Sequence, residues 1–353
     1  MKRLDDTKRA LLNRGVAIPA MPLALTSDRT FDERRQRALA RYQIDAGVGG
    51  LAVAVHSTQF EIREPQYGLL DPVLSLTFDA AREWTDRPLL MVAGVVGKTA
   101  QAVKEAARAS EIGYDAALLS MAAVADRSID EMIAHARAVA EIMPVIGFYL
   151  QPSVGGRILP YAFWREFADI DNVIAIKMAP FNRYQTLDVV RAVCESPRCD
   201  SIALYTGNDD NIVIDLLTEY SVKTARGLVK KRIIGGLLGH WAVWTKRAVE
   251  LLEECQRVVL TGGSVSAELL TRATRITDMN AAIFDPAHSF AGCIPGIHRV
   301  LQRQGLLRGI ECLNPHETLS DGQDAEIERV CREHSDLTDD AFIAENLARW
   351  LAD

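Results

Sequence analysis

Lys177 closes the apolar run Val173-Ile174-Ala175-Ile176, and no other lysine of the chain ends such a run. A continuous β-branched stretch of this kind reads as a strand buried on both faces. An ammonium at its carboxyl end is costly to keep charged, so burial drives its pKa down. A neutral lysine amine attacks ketones and aldehydes, and the product is a Schiff base. The competing reading is a strand-end lysine that snorkels its ammonium into solvent.

A second group stands at a matching place. Tyr149 comes near the end of the apolar stretch Val145–Leu150. Period-two alternation puts Val173, Ala175 and Lys177 on one side of their strand and Val145, Gly147 and Tyr149 on one side of theirs. Gly147, without a side chain, is expected to leave room inside a barrel below Tyr149. A tyrosine and a lysine that end adjacent strands and face one mouth can exchange a proton through a bound substrate. His56, Ser57 and Thr58 follow another apolar strand, where His56 is either a hydrogen-bonded loop residue or a substrate-facing acid or base. His240 carries the same ambiguity. Asn208-Asp209-Asp210 reads as a solvated loop, since three adjacent residues cannot all point at one cation.

Other patterns carry less chemistry. Gly94-Val95-Val96-Gly97-Lys98-Thr99 resembles the tail of a phosphate-binding loop, but Val92 stands where that pattern needs its first glycine, so a turn with Thr99 as N-cap is expected. Thr261-Gly262-Gly263-Ser264 reads as a plain turn. The 7 histidines are scattered without metal-ligand spacing, and the 6 cysteines include no CxxC pair. Cys194 and Cys199 flank a Glu-Ser-Pro-Arg loop and read as surface structure.

These residues need elements to hold them. Strands are expected at Val16–Ala24, Gly50–His56, Leu89–Val96, Ala116–Met121, Val145–Leu150, Val173–Met178, Ser201–Thr206 and Arg232–Leu238. Amphipathic segments such as Phe31–Ala46, Thr99–Glu111, Ile129–Ile142 and Thr186–Cys194 lie between them, and Ser128 and Glu131 have capping-box spacing. Eight strands each followed by a helix describe a (β/α)8 TIM barrel, in preference to an open doubly wound sheet. The barrel is expected over residues 1–255. A helical region over 256–353 is expected to pack on it, with helices at Ala267–Thr274, Pro295–Gln304, Asp324–Arg332 and Asp340–Leu351. In such barrels the chemistry sits at the carboxyl ends of the strands.

Composition sets outer bounds. The chain has 353 residues, 48% hydrophobic and 25% charged, with a net charge of −7. That balance, without a basic cluster larger than Val229-Lys230-Lys231-Arg232, argues against a nucleic-acid partner. No apolar stretch reaches membrane-spanning length, and the amino terminus lacks the apolar core of a signal peptide. A cytoplasmic location with reduced thiols is expected.

At Tyr149 and Lys177 the sequence resembles the dihydrodipicolinate synthase and N-acetylneuraminate lyase superfamily of Schiff-base aldolases. The matching segments are Tyr149-Leu150-Gln151-Pro152, for the family's Tyr-x-x-Pro, and Ile176-Lys177, 28 residues beyond the tyrosine. Gly49–Thr58 is similar to the strand ending in Gly-Thr-Thr-Gly-Glu, and Tyr205-Thr206-Gly207-Asn208-Asp209 to a Ser-Gly-Asp-Asp turn. The departures are specific. His56-Ser57-Thr58-Gln59-Phe60 loses both glycines and the acid, Ala122-Ala123 replaces a Tyr-Tyr pair, and Val154 replaces a carboxylate-binding arginine, with Arg157 nearby.

The resemblance implies a carbon–carbon lyase acting on pyruvate or a related 2-keto acid through a covalent imine on Lys177. Tyr149 would shuttle the proton and Ser57 relay it, while Thr58, His56, Gly207 and Asn208 would line the substrate. It implies no metal or organic cofactor, an aldehyde as a possible second substrate, and a homo-oligomer, dimer or tetramer. A sugar-acid dehydratase using the same lysine and a non-catalytic keto-acid-binding protein stay open as alternatives.

Overall fold

The computed structural model describes residues 1–352. Its strands are β1 (Ala17–Pro19), β2 (Gly50–Val53), β3 (Leu90–Val95), β4 (Ala116–Ser120), β5 (Val145–Tyr149), β6 (Val173–Met178), β7 (Ala203–Thr206), β8 (Glu219–Thr224) and β9 (Gly227–Leu238). Packing divides the chain into two compact units, each made of three separate segments. One holds Met1–Val16, Leu90–Leu237 and Cys255–Ser264; the other holds Ala17–Leu89, Leu238–Glu254 and the chain from Val265 onward.

In the first unit six parallel strands lie in the order β3-β4-β5-β6-β7-β9. Every residue of β3 to β7 is buried, as near-continuous Val, Ile, Leu and Ala runs require of a parallel sheet covered on both faces. The intervening helices are Thr99–Ile112, Ile129–Ala140, Tyr161–Phe167 and Arg183–Glu195. The Ser128–Glu131 capping box forms, with Ser128 Oγ accepting from the Glu131 N–H at 3.3 Å and Glu131 Oε2 accepting from the Ser128 N–H at 3.0 Å. Lys98, not Thr99, is the N-cap; Thr99 is already helical and its hydroxyl hydrogen-bonds His135 Nδ1 at 3.0 Å.

Two local expectations fail here. Antiparallel β8 pairs with β9 from Glu219↔Arg232 to Thr224↔Gly227, a hairpin that the expected strand list lacks although Tyr220 and Val222 alternate with polar residues along β8. Its turn needs Gly227, which sits at φ 105. Cys194 and Cys199 are buried rather than superficial.

The amino-terminal segment lies across the amino ends of the strands of this unit. The Lys2 N–H donates to Ile142 O at 3.0 Å, and Asn172 Nδ2 donates to Lys2 O at 3.0 Å. Helix Asp6–Arg14 follows, capped by the Asp5 carboxylate, which accepts from the Lys8 N–H.

In the second unit β1 and β2 run parallel, bonded from Gly49 N–H to Ala17 O at 3.0 Å and from Met21 N–H to Ala52 O at 2.8 Å. Its helices include Glu33–Asp45, Leu70–Trp84, Ala267–Phe284, Cys293–Arg303, Gln323–Glu333 and Asp340–Trp350. The first and last of these are tied together. Tyr42 packs its ring on Trp350 at 5.4 Å and donates its hydroxyl to Asp339 at 2.7 Å. No helix of the described residues is long and apolar enough to cross a membrane.

Candidate active site

Lys177 lies at the carboxyl end of β6, opposite Phe148 on β5 and Tyr205 on β7. Residues paired across a parallel ladder face the same side, so these three form one layer. The lysine is 7% exposed, so it does not snorkel into solvent, and its Nζ sits 4.3 Å from the centre of the Phe148 ring. Its side chain fits because residue 207 is glycine. A Cβ there would come within 2.5 Å of Lys177 Cε. Burial pushes the amine down to about 8, against the pull of the Asp209 carboxylate, which favours the ammonium. At neutral pH about a tenth of the lysine is then the free amine, far more than an unperturbed lysine offers. Tyr205, in the same layer, spends its hydroxyl on structure, donating to Leu12 O at 2.8 Å and accepting from the Val16 N–H at 3.2 Å.

Tyr149 does not share that layer. At the start of the ladder Val145 pairs with Val173, but the register then shifts, so that Ile146 meets Ala175, Phe148 meets Lys177 and Tyr149 meets Met178. One residue of slip turns every later side chain to the other face. Gly147 accordingly faces the helices, where an added Cβ would strike Phe167 and Trp164. The Tyr149 ring packs on Trp164 at 5.2 Å, and its hydroxyl accepts from the Leu159 N–H at 3.2 Å. Burial raises the phenol above its ordinary value, which leaves it a poor proton donor. The inward aromatic beside the amine is Phe148, which sequence reasoning passed over for its neighbour.

The turn after β7 is not a solvated loop. Asp215, on the short helix Ile212–Leu217, gathers it. Its carboxylate accepts from Thr206 Oγ1 at 2.7 Å, Asn208 Nδ2 at 2.9 Å, Asn211 Nδ2 at 3.0 Å and Arg183 at 2.6 Å. Asn208 also donates to Thr186 and accepts from the Phe181 N–H. Both ends of its side chain are occupied, so Asn208 builds the turn instead of lining a substrate. What the turn presents is Gly207 beside the lysine and the buried carboxylate of Asp209. The signal for Asp209 was its place two residues past a glycine at a strand end. Arg157 does not substitute for the arginine missing at Val154, because its guanidinium donates to the backbone oxygens of Ala125 and Arg127.

In the second unit His56-Ser57-Thr58 forms a turn of 3-10 helix after β2. Ser57 Oγ donates to Ala20 O at 2.9 Å, and Thr58 Oγ1 donates to Met21 O at 2.7 Å while accepting from the Val55 N–H at 3.2 Å. Both hydroxyl protons are thus held by the backbone after β1. His56 is half-buried with its ring edge on Phe60, at 5.9 Å between centroids. Gln59 keeps a glycine-like backbone at φ 67, and its side-chain oxygen accepts from the Leu313 N–H at 2.6 Å. A non-glycine residue there stores strain of about 1 kcal/mol, and this bond helps hold it.

A sequence model of the Dihydrodipicolinate synthetase family matches residues 14–219. The 4-hydroxy-tetrahydrodipicolinate synthase of Bifidobacterium longum is 28% identical over 197 residues, which are 55% of this chain and 60% of the relative. The enzyme of the same name from Moorella thermoacetica is 26% identical over 205 residues, 58% of this chain and 66% of the relative. The chain therefore spans about 60% of the length of the Bifidobacterium relative it matches. Among solved structures, YagE, an Escherichia coli prophage protein of the dihydrodipicolinic acid synthase family in complex with pyruvate, superposes with a TM-score of 0.71 at 18% identity, covering 91% of this chain and 98% of its own. The N-acetylneuraminate lyase of Fusobacterium nucleatum gives 0.69 at 15% identity, covering 91% and 99%. The shared fold is a (β/α)8 TIM barrel with C-terminal helices.

Proposed function

Because the chain belongs to the dihydrodipicolinate synthetase family, we propose that it is a Schiff-base lyase acting on pyruvate or a related 2-keto acid through Lys177. The observation that carries this reading is a buried amine at a strand end, tuned to about 8 and lodged between Phe148, Gly207 and Asp209. The neutral amine adds to the keto carbon, and loss of water leaves an iminium. That cation draws electrons from the neighbouring carbon–carbon or carbon–hydrogen bond, so the reading asks for no metal or organic cofactor. Asp209 offsets the iminium charge as it offsets the ammonium charge. Relatives crystallised with pyruvate support the substrate class.

Lysine-biosynthetic condensation is not the activity we assign. Ala122-Ala123 stands in a short turn after β4 where the family has two tyrosines, Val154 replaces an arginine, and Tyr149 faces the helices. A second reading follows from the same observations. With the phenol turned away and the hydroxyl protons of Ser57 and Thr58 engaged, the protein holds a keto acid as an imine without turning it over. Borohydride reduction in the presence of pyruvate, followed by digestion and mass analysis, tests the imine. A stable adduct on Lys177 is expected, and an adduct elsewhere or none with any 2-keto acid refutes the assignment. Product analysis with candidate aldehydes and sugar acids then separates aldolase, dehydratase and binder. With pyruvate and aspartate semialdehyde, turnover should fall below the ordinary range of roughly 1 to 10³ per second.

A further inference from the structure

At the amino end of β6 the first unit carries a cavity of about 350 Å³ that holds unneutralised positive charge; its lining includes Arg3, Arg9, Asn13, Asp171, Arg198 and Asp200. Val173, whose carbonyl accepts from Arg198, and Lys177 lie four residues apart, about 13 Å along one strand. The cavity is a separate place.

The three arginines are in different states. Arg3 is paired with Asp171 through a short ion pair. Arg198 is fixed by backbone carbonyls: one nitrogen donates to Ala168 O at 3.2 Å and to Ile170 O, the other to Val173 O at 3.0 Å and to Asp171 O. Carbonyls orient a guanidinium without cancelling its charge, and Arg198 has no carboxylate within ion-pair distance among the described residues. Arg9, on helix Asp6–Arg14, is half-buried, and its guanidinium makes no hydrogen bond or ion pair among the described residues. Burial and then the neighbouring Arg3 charge push Arg9 below its ordinary pKa. Burial lowers the pKa of Arg198 as well; the Asp171 carboxylate opposes this, and the charges of Arg9 and then Arg3 add to it. Against Arg9 and Arg198 stand two exposed carboxylates outside ion pairs among the described residues, Asp200 in the lining and Asp6, which acts on Arg9 from the same helix.

Two guanidinium groups facing one concavity, one rigidly held and the other unpaired, match the planar fork that binds oxyanions in pairs of hydrogen bonds. We propose that this cavity is a binding site for a phosphate-type oxyanion, either the free ion or the phosphoryl group of a small metabolite, held by Arg9 and Arg198. Binding joins helix Asp6–Arg14 to the segment before β6 and to the turn that carries Arg198. The site does not depend on the lyase reading.

The test is isothermal titration of the intact protein with sodium phosphate, at ionic strength held constant with sodium chloride. Saturable binding at millimolar concentration or below is expected. Arg9→Gln keeps a good helix former at an unpaired position, and it should weaken binding about tenfold, the loss of one charge-assisted contact. Lys230→Gln, on the hairpin, should bind as the parent does. Glycerol phosphate competing with phosphate identifies a metabolite phosphoryl group; phosphate binding that glycerol phosphate does not displace identifies the free ion. Absence of saturation, or equal affinity in Arg9→Gln with its circular dichroism intact, overturns the proposal. Borohydride trapping at Lys177 should be unchanged in Arg9→Gln, which separates failure of this site from failure of the lyase reading.

Discussion

The two ends of β6 handle positive charge in opposite ways. At the carboxyl end a single lysine is buried against an aromatic face, with one carboxylate to oppose the burial, and its pKa falls to about 8. At the amino end arginines collect at a half-buried cavity, where burial and, behind it, mutual repulsion hold Arg9 and Arg198 below the ordinary guanidinium pKa. A guanidinium stays charged at any physiological pH, whereas a buried ammonium can give up its proton. The first end is therefore suited to nucleophilic chemistry and the second to holding an anion.

Exchanging the two kinds of cation is the severest way to break the contrast. Lys177→Arg keeps a positive charge at the carboxyl end but removes the nucleophile, so borohydride trapping with pyruvate should vanish. A retained adduct, mapped by mass, would show that another lysine carries the chemistry. A finer probe is Asp209→Asn. Asp209 raises the lysine pKa, so its loss should move the midpoint of the trapping rate below pH 8 by about one unit. At pH 6, where the free amine is scarce, trapping should then speed up by roughly tenfold if the amine's intrinsic reactivity is retained. An unmoved midpoint would disconnect the carboxylate from the amine.

Stability supplies the third probe. The folded lysine titrates near 8 and the unfolded one near 10.5. Between those values the unfolded chain binds a proton that the folded chain does not, so stability should rise with pH across that window. Lys177→Met removes the titration. Its stability relative to the parent should be greatest below pH 8, and that advantage should shrink by up to about 3 kcal/mol as pH climbs to 10.5. Denaturant melts at several pH values check it, and parallel curves for the two proteins would place the lysine in solvent. The smallest effect belongs to Tyr149→Phe. With the phenol bonded to Leu159, its removal should cost about 1 kcal/mol of stability and leave the trapping rate within about twofold. A loss of the 10² to 10⁴ that a general acid contributes would return the tyrosine to the site.

Much of this was legible in the residues. β6 runs over Val173–Met178 as its β-branched run predicts, the Ser128 capping box closes, and eight parallel strands appear near their expected places. Such features depend on local propensity and on which residues must leave water. The candidate site was less legible. Lys177 is buried as its run of apolar neighbours requires. Ser57, Thr58 and Asn208 are polar residues at strand ends, but their hydrogen bonds are taken by distant backbone or by Asp215. Sequence shows donors and acceptors without showing how they are already used.

The sequence by itself determined the buried amine and the order of strands and helices, because hydrophobic periodicity and the burial it demands are properties of short segments. Which aromatic stands beside that amine was decided by the register of β5 on β6. Val145 and Val173 are 28 residues apart and pair, the same spacing that separates Tyr149 from Lys177. After the shift the paired residues are 29 apart, and Phe148 takes the inward position. A ladder's register depends on how two strands meet the rest of the core, and a one-residue change reverses the facing of every side chain that follows. No count along one strand contains that information.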